Sequence, residues 1–206
     1  MPRYRMRSWR AFDPAAVRPQ AAAPTLPPVG ARLRILGLDP GSRRTGFGVI
    51  DCHGPRCVHL THGCISAPAA SSIERLRTIF EAVAALIAEH RPDEIAIERV
   101  FVNRNIDSAL KLGQARGAAL SAVPRGTDVF EYAPRAIKLA VVGFGGAEKP
   151  QVAHMMRVLL SLSGRLAADA ADALAVAVCH AHSRRSALAL APRAAAVTAP
   201  LGESRG

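Results

Sequence analysis

Residues 33–52, LRILGLDPGSRRTGFGVIDC, join two short apolar runs through Pro40-Gly41-Ser42. Neither run is long enough for an independent helix, and turn residues bound both, so the segment reads as two strands, 33–39 and 46–52. A connection this short allows only antiparallel pairing. A third run, CVHLTHGCIS at 57–66, follows the turn signal Gly54-Pro55 and extends the meander. Ser71-Ser72-Ile73-Glu74 then has capping-box spacing, and Ile73, Leu76, Phe80, Val83 and Ile87 recur at helical period until Arg91-Pro92 ends the helix. With a helix before it as a crossover, the short strand EIAIE at 94–98 can lie parallel to the first strand. A helix at about 106–121, a strand at 127–132, helices opening at Pro134 and Pro150 and a last helix at about 168–182 complete the order. The expectation is a three-layer α/β fold: a five-stranded mixed sheet with helices on both faces.

The chain has 206 residues, half of them hydrophobic, which suits one domain with a proper core. No apolar run approaches the roughly 20 residues of a membrane span, so a soluble, cytoplasmic protein is expected. The net charge of +11 favours a polyanionic partner, but residues 1–32 contribute +5 and residues 184–206 contribute +3. The core, 33–183, is only mildly basic. Both ends read as disordered: an Arg/Pro/Ala-rich leader over 1–32, with Pro14, Pro19, Pro24, Pro27 and Pro28, and a basic tail over 184–206. A transit peptide and an upstream start codon, with the protein proper beginning near Val29, both stay open for the leader.

Cys52, His53, Cys57, His59, His62 and Cys64 fall within 13 residues and raise a zinc hypothesis, but no C-x2-C pair is present. A hairpin with alternate residues facing water is the simpler reading. Disulfides are not expected in a cytosolic setting, and Cys179 stands alone on an apolar helix.

Asp39 ends the first strand and Glu98 ends the fourth. Open α/β sheets place their sites at such carboxyl ends. Asp169 and Asp172 lie three apart in the first turn of the last helix, on one face and at the positive end of its dipole. Singly, each acid fits turn or capping chemistry. Four acids at element ends with no sequence-local basic partners imply divalent cations, and an oxygen-only donor set selects Mg²⁺ or Mn²⁺ over Zn²⁺. Two such ions roughly 4 Å apart suit phosphodiester hydrolysis. Ala109, Gly113, Gly117 and Ser121 form a small-residue stripe, which suits either packing on the sheet or a helix-to-helix dimer contact.

ILGLDPGSRRTGFGVI, AIERVF, NRNIDSALKLGQARG, VFEYAPRAIKLAVVG, GAEKPQV and ADAADALAVAV together resemble the RuvC family of Holliday junction resolvases, nucleases of RNase H-like fold. The resemblance runs from Leu33 to about Ser183. It implies that Asp39, Glu98, Asp169 and Asp172 are catalytic, metal-binding acids holding two Mg²⁺, with Mn²⁺ a substitute. It implies a homodimer, with the helix of Ala109, Gly113 and Gly117 as its contact, that nicks four-way DNA junctions symmetrically and leaves 5′-phosphate and 3′-hydroxyl ends. The branch-migration proteins RuvA and RuvB are the implied partners. Phe101 occupies the family's stacking position, and Lys138 and Lys149 match lysines near the DNA. Arg99 and Arg104 are further phosphate-contact candidates, where an exposed Arg is otherwise simply solvated.

Two related readings compete. A sugar-kinase-type phosphotransferase shares the Asp-x-Gly-Ser hairpin but repeats it in a second domain, for which the core has no room. An RNase H-like RNA-processing nuclease shares the DxG…RxG opening, yet ADAADAL and NRNIDSALKLGQARG argue against it. A catalytically dead junction binder would not need all four acids.

Overall fold

The computed structural model describes residues 32–67, 71–99 and 106–197, with side chains to residue 188. Strands β1 (Arg32–Asp39), β2 (Arg44–His53) and β3 (Arg56–Ser66) form the antiparallel meander. Helix α1 (Ser72–His90) crosses over to β4 (Glu94–Glu98), which lies parallel to β1, and α2 (Ile106–Ser121) leads to β5 (Asp128–Tyr132), parallel to β4. The sheet order is β3-β2-β1-β4-β5, followed by α3 (Pro134–Val142), α4 (Lys149–Leu159) and α5 (Ala168–Val197). The five-stranded mixed sheet with helices on both faces is the expected one.

Strand alternation divides the core. Leu33, Ile35, Ile50 and Ala96 point to the face covered by α3, α4 and α5, while Leu36, Leu38, Val49, Ile95 and Ile97 meet α1 and α2. Helix α5 is apolar all round from Ala173 to Cys179 and lies buried there between the sheet and α3/α4. Its close approach depends on three strand glycines, Gly37, Gly46 and Gly48. A Cβ at Gly37 would strike the Ala173 carbonyl and come within 2.9 Å of the Ala177 Cβ, and one at Gly46 would strike the Asp169 carbonyl.

The structure corrects three expectations. On α1 the buried stripe is Ile79, Val83 and Ile87, with Ser71 capping the Glu74 N–H at 3.1 Å. Ile73 and Phe80 are 69% and 42% exposed, because the sheet takes the side of the stripe nearer Ile79. Helix α5 runs on to Val197 rather than ending at 182, so residues 184–197 of the expected disordered tail are helical. Ala, Leu and Arg there are good helix formers, and Arg184 is tied to buried Glu94 by an Nε–H donated at 2.9 Å. Cys52 and Cys57 form a disulfide, because the β2/β3 register sets them directly opposite each other with Cα atoms 4.1 Å apart. That bond takes two thiols out of the zinc hypothesis. The other two cysteines, Cys64 and Cys179, are free. No helix among the described residues is long and apolar enough to cross a membrane.

Candidate active site

Register places the first two acids together. Leu38 pairs with Ile97 across β1/β4, so Asp39 and Glu98 are the next pair outward, at neighbouring carboxyl ends and on the sheet face that α5 covers. The Arg99 N–H donates to the Tyr132 carbonyl at 2.7 Å, which extends the β4/β5 pairing past Glu98 and holds that strand end. Behind Asp39, the fully buried Thr45 donates its hydroxyl to the Gly41 carbonyl at 3.3 Å and braces the turn.

Asp39, Glu98 and Asp172 line one cleft of about 380 Å³ with Arg99, Lys138 and Lys149. The Lys149 ammonium donates to Asp172 Oδ2 at 2.9 Å, and that carboxylate raises its pKa. Burial, with the adjacent Glu98 charge second, pushes Asp39 up to about 8. Burial also raises Glu98, against the opposing effect of its hydrogen bond with Asp39. The pair therefore shares one proton near neutrality.

Asp169 stands apart from that wall. Its Oδ2 accepts a long hydrogen bond of 3.9 Å from the Cys64 thiol on β3, which burial and the Asp169 charge together hold in the protonated form. Among the described residues, no three His, Cys, Asp or Glu side chains converge tightly enough to hold one metal ion. The donor chemistry nevertheless fits a hard cation: Asp39, Glu98 and Asp172 present carboxylate oxygens to one cleft, two of them, on Asp39 and Glu98, raised by burial and by the like charge of Asp172.

Of the other expected residues, Lys138 lines the cleft and its charge acts on Glu98. Arg99 lies on the rim with its Nε 3.7 Å from Glu131. Phe101 and Arg104 lie outside the described residues.

Sequence reasoning missed a buried polar chain at the opposite end of β4. His180, 1% exposed, bridges the Tyr132 hydroxyl at 2.7 Å and Glu94 Oε2 at 2.6 Å, and stacks on Phe130. With Arg184 on the second Glu94 oxygen, it anchors α5 to β4 and β5. Its sequence signal was a His and an Arg four residues apart, the His directly after the apolar run Ala173–Cys179.

Comparison with known proteins decides what this cleft belongs to. The family model for crossover junction endodeoxyribonuclease RuvC matches residues 35–180, which span the sheet and both ends of the cleft. The chain belongs to the RuvC family. It is 57% identical over 158 residues to crossover junction endodeoxyribonuclease RuvC of Marinobacter nauticus, covering 76% of this chain and 90% of that protein. The RuvC of Shewanella sp. is 53% identical over 165 residues, covering 80% of this chain and 95% of that protein. The structure of Thermus thermophilus RuvC in complex with a Holliday junction substrate matches with a TM-score of 0.70 at 33% identity, covering 75% of this chain and 96% of that one. The expected fold and the endodeoxyribonuclease activity thus stand, and as a RuvC-family nuclease the chain is a divalent-metal-dependent enzyme.

Proposed function

We propose that this chain resolves four-way DNA junctions by symmetric paired nicks, with Asp39, Glu98, Asp169 and Asp172 as its catalytic acids. One observation carries the reading: the cleft that unites Asp39, Glu98 and Asp172 with Lys138 and Lys149 lies within the segment matched to crossover junction endodeoxyribonucleases. The four carboxylates would hold two Mg²⁺, with Mn²⁺ a substitute. When bound, such ions activate a water and stabilise the leaving oxygen of the phosphodiester, leaving 5′-phosphate and 3′-hydroxyl ends.

The protein's own groups do the rest. Asp39 and Glu98 give up their shared proton on taking up a cation. Lys149, released from Asp172, and Lys138 place compact positive charge where the phosphoryl group gains negative charge. Arg99 and Arg104 would contact flanking phosphates, and Phe101 would stack on an unpaired base.

Two identical sites suit a substrate with two-fold symmetry, and a homodimer through α2 supplies them. Gly113 and Gly117 support this contact, since a Cβ at either would meet open space, and so do Ile106 and Leu110, exposed on the same helix. The companion partners of the reading are RuvA and RuvB, and its setting is the cytoplasm.

An end-labelled junction with a movable core, incubated with Mg²⁺ or EDTA beside a linear duplex of the same sequence, tests the proposal. Paired Mg²⁺-dependent nicks on the junction alone are expected. Equal cutting of RNA or duplex would replace it with an RNA-processing role.

A further inference from the structure

Along α3 and the loop after it, a groove of about 570 Å³ is lined by Arg135, Leu139, Gly143, Phe144, Gly145 and Gly146. Its floor is shaped by two glycines. A Cβ at Gly146 would come within 2.8 Å of the Phe144 ring, and one at Gly145 within 2.8 Å of the Arg135 side chain. The ring and the guanidinium arm therefore lie back on bare backbone. Phe144 is nevertheless 64% exposed and Leu139 58%, so the aromatic ring is seated underneath and open above.

The groove and the active-site cleft both draw on α3. Lys138 lines the cleft and Arg135 the groove, one turn apart on the same helix, with Cβ atoms about 5–6 Å from one another. That spacing is comparable to the step between successive phosphates of an extended strand. No carboxylate lines the groove, so its one charge is Arg135.

We propose that this groove seats the DNA strand flanking the scissile phosphate, with Arg135 on a phosphate and Phe144 stacked on an unpaired base. The inference rests on the junction-cutting reading and adds a second aromatic platform, on α3 and its loop, to the one expected at Phe101. The positive charge of Arg135 and its place one turn from Lys138 of the cleft select nucleic acid over an apolar protein partner.

The test uses full-length protein carrying Phe144→Ala, Phe144→Trp or Arg135→Gln, with junctions bearing 2-aminopurine at successive positions beside the cut. Phe144→Ala is expected to weaken junction binding by roughly 5- to 100-fold and to abolish fluorescence quenching at one position, whereas Phe144→Trp keeps both. Arg135→Gln is expected to lower the slope of log K against log salt by about one. Wild-type cutting with unchanged binding and quenching in Phe144→Ala would overturn the groove assignment alone, and so would weaker binding with no quenching change at any position. Failure of wild type to cut junctions would instead remove the reading beneath it.

Discussion

Replacing Asp39 with Asn should stabilise the metal-free protein in a pH-dependent way while abolishing cleavage. Asp39 keeps its proton in the fold up to about pH 8, whereas the ordinary value is 3.8. Between those values the folded state binds more protons than the unfolded chain. The associated stability is complete below about pH 4 and lost as pH rises through about 8. A difference of about four units at 1.36 kcal/mol each sets a ceiling of roughly 6 kcal/mol. Because the same proton serves Glu98, about half of that, ~3 kcal/mol, is expected, or roughly 6–12 °C in Tm for a domain of this size. Asn cannot ionise, so its curve should lack this fall. The assay is thermal or urea unfolding of both proteins in EDTA at pH 5, 6.5 and 8. Their stabilities should diverge as pH rises, and millimolar Mg²⁺ at pH 8 should raise the stability of wild type with little effect on the variant. Parallel curves across the three pH values would refute the shared-proton reasoning.

Gly46→Ala puts a methyl group against the Asp169 carbonyl, so it should cost about 1–3 kcal/mol in urea unfolding and lower single-turnover cleavage at least 100-fold by shifting the first turn of α5. Lys149→Met removes an ion pair whose lysine is largely exposed, so stability should change by less than about 1 kcal/mol. Cleavage should nevertheless fall by about 100-fold, with junction binding in EDTA within about threefold, as gel-shift and rate measurements would check. Glu94→Gln leaves His180 and Arg184 without their shared carboxylate, and denaturant unfolding should register a loss of about 3–5 kcal/mol.

Local chemistry made the sheet and two of the acids readable. Asp39 precedes Pro40-Gly41 and Glu98 ends the short strand EIAIE, so both positions follow from turn signals and the crossover rule. What depended on distant partners was not readable. The α1 stripe is a little wider than the face the sheet covers, so periodicity alone could not decide between Ile79 and Phe80. Lys149 meets Asp172 across 23 residues and His180 meets Glu94 across 86, pairings that only the packing of α4 and α5 creates. The disulfide followed from hairpin register, which spacing could not distinguish from a metal cluster. Asp169 shows the reverse case: it shares a helix face with Asp172, yet its side chain turns toward Cys64.

Helix α5 carries Asp169 and Asp172 near one end and the Glu94-bound His180 and Arg184 farther along. Asp172 and Arg184 are separated by about 18 Å of uninterrupted helix. An inserted residue anywhere between them would turn one end by about 100° relative to the other and lengthen the span by about 1.5 Å. The chain would then have to misplace its carboxylates or strand a buried Glu94. Length between these points is therefore as tightly fixed as residue identity, and insertions that the loop before α4 could absorb would be lethal to the enzyme here.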